Sequence, residues 1–462
     1  MAFCQGFSPI FVILHPNGNR SYIQMKVTGI NGLLFLLGTL SCPLTARAQD
    51  RLCPSIVSYR VMTLGMVDSM VVKNSLSLQS VRLETEKTEG QLRQVSLYEN
   101  PQVQLMHNVR NPNNKRWLDT GHDGETDVQV SQSIAIGGQH SNKVRQARAD
   151  IKASQAGYLA SRWEICHEVR QDLIDLYGVQ QKEKVYEREI ESVERILKAF
   201  QEQTAKGNVS KMETFRIQTM LSQLKAELSS LCLQENDLQA QLHTAMNMQD
   251  GVPVKAQLDD DELMNYAKRT TLSLASALGN PASLALFVDR NPSLQQIRYQ
   301  QESARYQLKS EQAEALPHIS LMGEFDKNGS IGHNFFAFGT TITVPLWNRN
   351  QGNVRTAKAT YRQAQVEREY KESALRRQIL RDHQAVQTCM RTVENQKRML
   401  DQELEELLQA AESQFMKRNI TLLEFVDLYG SYRDTQFQML DARAQLFKAV
   451  EDLRTDLSDE GK

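Results

Sequence analysis

Proline is scarce, 11 in 462 residues, so there is little to interrupt long helices. An excess of one charge is also missing. Lys+Arg 54 against Asp+Glu 55 leaves a net charge of −1, which excludes the basic footprint of a nucleic-acid binder. No HExxH, GxSxG, Walker A or dinucleotide glycine pattern occurs, so no motif points to an enzyme. Beyond residue 48 no apolar run reaches about 18 residues, and a membrane-spanning helix is not expected there. If the chain crosses a bilayer, strands must do it. Cysteines are few and form no CxxC pair. Cys53, Cys166, Cys232 and Cys389 are expected to be packed or isolated thiols, although in an exported chain a pair could oxidise.

Residues 1–48 read as an export region with its start at Met25. Lys26 supplies the positive charge, Gly32 to Leu40 is apolar, and Ala46-Arg47-Ala48 fits small-residue cleavage before Gln49. Cys42 follows Thr-Leu-Ser, a poor lipidation signal, so plain cleavage is the expectation.

What is present is organised around Thr340 to Ala359. Up to Val344, Phe336, Phe338, Thr340 and Ile342 alternate with Ala337, Gly339, Thr341 and Thr343, the period of a strand. Pro345 suits the strand end, Asn348, Arg349, Asn350 and Gln351 are turn chemistry, and after Gly352 the period becomes helical. The same junction occurs earlier at Gly137-Gly138: Val144, Arg145 and Ala147 recur as Val354, Arg355 and Ala357, a shift of 354 − 144 = 210. Two further blocks repeat with a shift of 216: Ser77-Leu78-Gln79 returns as Ser293-Leu294-Gln295, and Pro101-x-Val103-x-Leu105-Met106 as Pro317-x-Ile319-x-Leu321-Met322. The expected plan is therefore one architecture built twice.

The first repeat spans 49–250. It has a helical stretch from Val61 to about Glu99, a β-hairpin at about 101–136 and a helical hairpin at about 141–247. Each strand of the hairpin is read as about nine or ten residues, apolar on one face and polar on the other, enough to cross a bilayer when tilted. Residues 251–290 form an intermediate segment, and 291–462 repeat the plan with a β-hairpin at about 317–346 and a helical hairpin at about 352–457. The first long helix of each hairpin runs about 65 residues without proline, roughly 100 Å at 1.5 Å per residue. Ser210 with Glu213, and Thr421 with Glu424, are read as capping boxes of the helices that follow. Heptad seams at Ile217, Leu221, Leu224, Leu228, Leu231, Leu238, Leu242 and Ala245, interrupted by Glu235, and at Tyr429, Tyr432, Met439, Leu446, Val450 and Leu453, with Gln436 and Arg443 also on it, indicate coiled-coil pairs.

Four strands leave open edges that hydrocarbon does not tolerate, so closure requires several copies. Three chains would give twelve strands and a helical cylinder beneath them. With the paired repeat and the turns FQEQTAKGNVSKMETF and FMKRNITLLEF, the chain resembles the TolC-type outer membrane factors over nearly all of its mature length. PLWNRNQGNVRTAKA is most similar to the heavy-metal branch, the CzcC-like and CusC-like ducts. The resemblance implies a mainly α fold with a small β portion: a homotrimeric outer-membrane β-barrel continued by a periplasmic coiled-coil barrel. It also implies a passive exit duct working with a periplasmic adaptor and an inner-membrane pump of the resistance-nodulation-division type, with no cofactor. Heavy-metal cations are the expected cargo, against drug efflux or type I secretion. The family's tip motif falls on Gly207, Ser210 and Glu213, and on Thr421 and Glu424, with Arg418 where glycine is usual. Glu424 and Asp427 fall on its acidic periplasmic aperture.

Plainer readings accompany the sharper ones. Met62, Met66 and Met70 fall at helical spacing and suit packing better than soft-metal ligation. Cys166-His167-Glu168 are helix neighbours that point in different directions, so a structural role is expected. Glu424 and Asp427 could equally be a solvated face beside a capping box. A periplasmic coiled-coil scaffold or adhesin shares the helix content, but would not need apolar faces on its strand hairpins.

Overall fold

The computed structural model describes residues 58–112, 114–278, 281–329, 332–400 and 403–458. The export region, Cys42 and Cys53 lie outside them. In chain order the elements begin with β1 (Arg60–Met62), α1 (Leu64–Asn74), α2 (Leu76–Val95), β2 (Gln102–His107), β3 (Thr126–Ile134), α3 (Gln139–Ala205) and α4 (Lys211–Ala245). Then come β4 (Val254–Ala256), α5 (Asp260–Leu278), α6 (Pro281–Arg290), α7 (Pro292–Ala313), β5 (His318–Gly329) and β6 (Gly332–Thr343). The chain finishes with α8 (Gln351–Leu400), α9 (Glu403–Met416) and α10 (Leu422–Leu457). No described helix is long and apolar enough to cross a membrane.

The four longer strands form one antiparallel sheet in the order β2-β3-β5-β6. On one face its register lines up apolar residues across all the strands. Leu105, Val128, Phe325 and Phe336 stand opposite one another in one row, and Val103, Val130, Gly323 and Phe338 in the next. On the other face the rows are Met106-Asp127-Asp326-Phe335 and Gln104-Gln129-Glu324-Ala337. Because cross-strand partners share a face, one side of the sheet is apolar and the other largely polar. Among the described residues nothing covers the apolar side at its outer strand: Phe336 is 74% exposed and Phe338 77%.

The helices pack along α3, whose 67 residues extend roughly 100 Å. Nearer the sheet, Cys166, Val169, Leu173 and Leu176 meet Val67 and Val71 of α1, Leu242 of α4, and Met62 and Val254 of the short strands. Farther along, Tyr186, Ile190, Val193 and Ile196 meet Ile217, Leu224 and Leu228 of α4 and Phe425 and Tyr429 of α10. A third cluster joins Leu375, Ile379 and Val386 of α8 to Leu446, Val450 and Leu453 of α10, under Leu263, Ala267 and Leu274 of α5.

Several details differ from the sequence reading. The stretch from Val61 is not one helical pattern: β1 pairs in parallel with β4, and Ser75, extended and buried, separates α1 from α2. The Met62-Met66-Met70 stripe is therefore no helix face. Met62 is a buried strand residue, whereas Met66 is exposed. Strand β2 has 6 residues rather than nine or ten. Past His107 the chain enters a polar loop organised by Asn111, whose Nδ2 donates to Asp119 Oδ2 at 3.1 Å and to the Asp123 carbonyl at 2.7 Å. Cys166 and Cys389 are free thiols, but Cys232 is disulfide-bonded, the oxidation that export permits.

One ion cluster ties the helices together near the middle. Arg170 of α3, fully buried, pairs with Asp68 of α1 and, at 3.1 Å, with Glu451 of α10. Removing one member of a buried pair strands the others without solvent. Arg170→Ala is expected to destabilise the fold by about 3 to 5 kcal/mol. Lys87→Ala, at an exposed i,i+3 pair with Glu84, should stay within about 0.5 kcal/mol. Thermal or denaturant midpoints of the purified variants check both.

Candidate functional site

The candidate residues gather at two ends of the chain, separated by the length of α3. At the far end the two helix-hairpin turns are copies offset by 418 − 207 = 211 residues. After α3, Gly207 adopts φ 77°, its N–H donates to the Thr204 carbonyl at 3.0 Å, and the Asn208 N–H donates to the Gln203 carbonyl at 3.0 Å. After α9, Arg418 adopts φ 61°, its N–H donates to Phe415, and the Asn419 N–H donates to Gln414, both at 2.9 Å. The left-handed turn is thus kept with arginine in the place of glycine, at about 1 kcal/mol of backbone cost. In return the Arg418 guanidinium donates from Nη2 to the Asn208 carbonyl at 2.9 Å and joins the two turns.

The helices leaving these turns are capped unequally. Thr421 and Glu424 make a complete capping box: the Glu424 N–H donates to Thr421 Oγ1 at 3.3 Å, and the Thr421 N–H donates to Glu424 Oε2 at 2.7 Å. At the first turn the expected box is not formed. Ser210 Oγ instead accepts from the Met212 N–H at 3.2 Å, one residue short of Glu213. The Thr421 N–H and hydroxyl hold the Glu424 carboxyl below its ordinary range.

Asp427 lies exposed one turn beyond Glu424, opposite the buried Phe425 and Tyr429. Subtracting the 211-residue offset, its counterpart in the first turn is Arg216, so the acidic pair occurs once per chain. The aromatic packing beneath is also specific to one copy. Phe415 stacks on Phe425 with ring centroids 4.4 Å apart, whereas the equivalent positions, Thr204 and Thr214, share a hydroxyl contact at 2.7 Å.

The other end gathers the strand-to-helix junctions. A Cβ on Gly137 would lie 2.8 Å from Leu316 Cδ1 and 3.0 Å from the Ala313 carbonyl oxygen, so only glycine fits there. Gly138, at φ 78°, precedes α3, and Gln139 donates from Nε2 to the Ala313 carbonyl at 3.0 Å. In the second junction, past Pro345, the Asn350 N–H donates to Asn348 Oδ1 at 3.1 Å and the Arg349 N–H to Gln351 Oε1 at 2.8 Å. Asn350 Nδ2 then reaches the Glu311 carbonyl at 2.9 Å, and Gly352 follows at the open start of α8. Both junctions therefore anchor on the end of α7.

Sequence reasoning missed two aromatics at this level. Trp347 is 89% exposed, and Tyr98, 80% exposed, stacks on His140. Solvent-facing aromatics beside the strand ends suit a membrane interface. Their signal was position alone. Cys166, His167 and Glu168 diverge: the thiol is buried and pushed up to about 12 by burial, His167 Nε2 is 3.3 Å from Asp452 Oδ1, and Glu168 is exposed.

Residues 69–248 and 284–457 match the outer membrane efflux protein family. The chain belongs to that family. The cobalt-zinc-cadmium resistance protein CzcC of Cupriavidus metallidurans is 18% identical over 390 residues, 84% of this chain and 88% of that protein. A membrane protein from Pseudomonas aeruginosa superimposes with a TM-score of 0.70 at 18% identity, covering 85% of this chain and 92% of its own. The channel-forming protein CusC gives 0.68 at 16% identity, with coverages of 85% and 91%. At these identities the likeness is one of fold. This outer membrane efflux protein lies in the outer membrane and has a large periplasmic helical portion.

Two substitutions separate the parts of the second cap. Thr421→Ala should cost about 1 kcal/mol and speed amide exchange at Leu422–Glu424, while Glu424→Gln, which can still close the box, should change it little. Because the Glu424 pKa is lowered by folding, its contribution is present above the ordinary carboxylate range and is lost as pH falls through the lowered value. Hydrogen-exchange mass spectrometry of the α9–α10 turn reads all three effects.

Proposed function

We propose that three copies close their sheets into a barrel of 3 × 4 = 12 strands, the helices continuing it as a periplasmic tube, and that this tube is the passive exit duct of a tripartite efflux system. The observation that carries the reading is the uncovered apolar face of the sheet together with its two unmatched edge strands, β2 and β6. Hydrocarbon rewards the first and forbids the second unless other chains complete the ring.

An inner-membrane pump of the resistance-nodulation-division type would load the duct through a periplasmic adaptor seated on the hairpin turns around Gly207, Ser210, Glu213, Arg418 and Thr421. Heavy-metal cations are the proposed cargo. The name of CzcC supports this, as does the threefold repetition of Glu424 and Asp427, which would set 3 × 2 = 6 carboxylates around the periplasmic aperture.

The mass of the protein extracted in mild detergent from the outer-membrane fraction is expected to be that of a trimer. A soluble periplasmic monomer or dimer would replace the duct by a coiled-coil scaffold. A deletion strain should lose tolerance to divalent metals such as zinc, cobalt or cadmium; intact metal tolerance with raised drug sensitivity would transfer the assignment to drug efflux. Replacing Glu424 and Asp427 together by Gln should raise single-channel conductance or reduce cation preference, and unchanged currents would remove both from the aperture.

A further inference from the structure

Midway along the tube, α8 and α10 meet through two acids. Asp382 of α8 is 3% exposed and Asp456 of α10 is 6% exposed. Gln378, one turn before Asp382 on the same face of α8, donates to Asp456, which sets the two carboxyls alongside each other. Each has one oxygen already engaged: Arg381 Nε donates to Asp382 Oδ1 at 2.7 Å, and Gln378 Nε2 to Asp456 Oδ1 at 2.7 Å. The other oxygen of each, Oδ2, is buried without a donor. Two acceptors side by side away from water need a donor between them, and ionised carboxylates have none to give.

The surrounding charges do not supply one. On α8, the guanidinium of Arg381 is spent on Asp382, and His383 is buried with Nδ1 unpartnered, its pKa lowered by burial. On α10, Asp452 adds a third carboxylate, and Lys448 reaches Asp175 of α3 at 2.7 Å. From α3, His167 lies 3.3 Å from Asp452. From the turn before α7, Asn291 donates to the Asp456 main-chain carbonyl at 3.1 Å and leaves the side chain untouched. Three carboxylates thus face one fixed guanidinium, with the imidazole committed to Asp452.

We propose that Asp382 and Asp456 share a single proton and form a pH-sensitive clasp that fastens α8 to α10. With the proton in place both Oδ2 atoms are satisfied. Without it, two buried carboxylates repel across the seam and the tube loosens at mid-height. Burial, and then the Asp382 carboxyl alongside, push Asp456 above the ordinary carboxylate range, in the direction this requires. An acid kept protonated by the fold but ionised in the unfolded chain makes folding take up a proton. Stability is then greatest in acid and declines as pH rises from the ordinary carboxylate range through the pair's own.

The test uses the full-length protein in detergent, unfolded at about pH 5.5, 7 and 8.5, beside Asp456→Asn, whose amide is a permanent donor to Asp382. One proton corresponds to about a tenfold change in the unfolding constant per pH unit. The ratio of wild type to variant should shift by up to that amount, and the variant should lose an infrared carboxylic-acid band present in the wild type at neutral pH. Glu183 and Glu189 of α3 are also pushed up by burial, to about 8 and about 7, but their share of the pH dependence would survive the substitution. If Asp456→Asn does not fold, Asp382→Asn must give the same two changes. A pH dependence and an acid band left as in the wild type by the folded variant would overturn the clasp.

Discussion

A strand in hydrocarbon must have both edges paired, and the sheet of this chain ends on two that are not. The remaining architecture can be read as the accommodation of that constraint. Because the register puts Leu105, Val128, Phe325 and Phe336 in one row, the apolar face is continuous across all four strands, and closure by further copies would produce a uniform outer band. The opposite face, with Asp127, Gln129, Glu324 and Asp326, is fit for a water-filled interior. Gly137 and the Asn350 turn then redirect the chain from strand to helix without leaving a gap, since both lean on the end of α7.

Below the sheet the tube is held by a series of separate contacts and has no single core. Two apolar clusters meet α3 at the level of Leu173 to Tyr177, one with α1 and α4 and the other with α8 and α10, and a third lies farther along at Tyr186 to Ile196. Buried or half-buried polar groups sit among them: Arg170 between Asp68 and Glu451, Asp382 beside Asp456, and Glu412 accepting from Tyr429 at 2.9 Å. Long helices with repetitive seams can slide by a turn at small apolar cost, and a buried charge with one correct partner opposes that sliding. The polar contacts fix which turn of one helix faces which turn of the next. The Arg418 bond to Asn208 does the same at the tips.

Much of this was legible in the residues. Alternation gave the faces of the four longer strands, and the recurrence of Val144-Arg145-x-Ala147 gave the duplicated junction, because period and repetition are local properties. What escaped depends on distant partners. Val61 and Met62 look helical until Lys255 and Ala256 are placed beside them. Ser210 and Glu213 have the spacing of a capping box, yet the serine turns to Met212, a choice of rotamer and not of sequence. Arg170, Asp382 and Asp456 are ordinary surface residues by type, and only tertiary packing takes them out of water. At the candidate site the turn residues could be named from the sequence, but the mutual support of the two turns through Arg418 could not.

The pairing of β1 with β4 bears on the order of assembly. Its partners are 254 − 60 = 194 residues apart, and Asp127 opposite Asp326 spans 326 − 127 = 199. Contacts so remote form only after the intervening chain has been delivered, and loop closure over such lengths is slow. During translocation the first strand hairpin therefore waits, apolar face bare and one edge free, until the second emerges. The duplicated plan that makes the final sheet regular therefore also leaves half of its apolar face without neighbours until the second half of the chain is delivered.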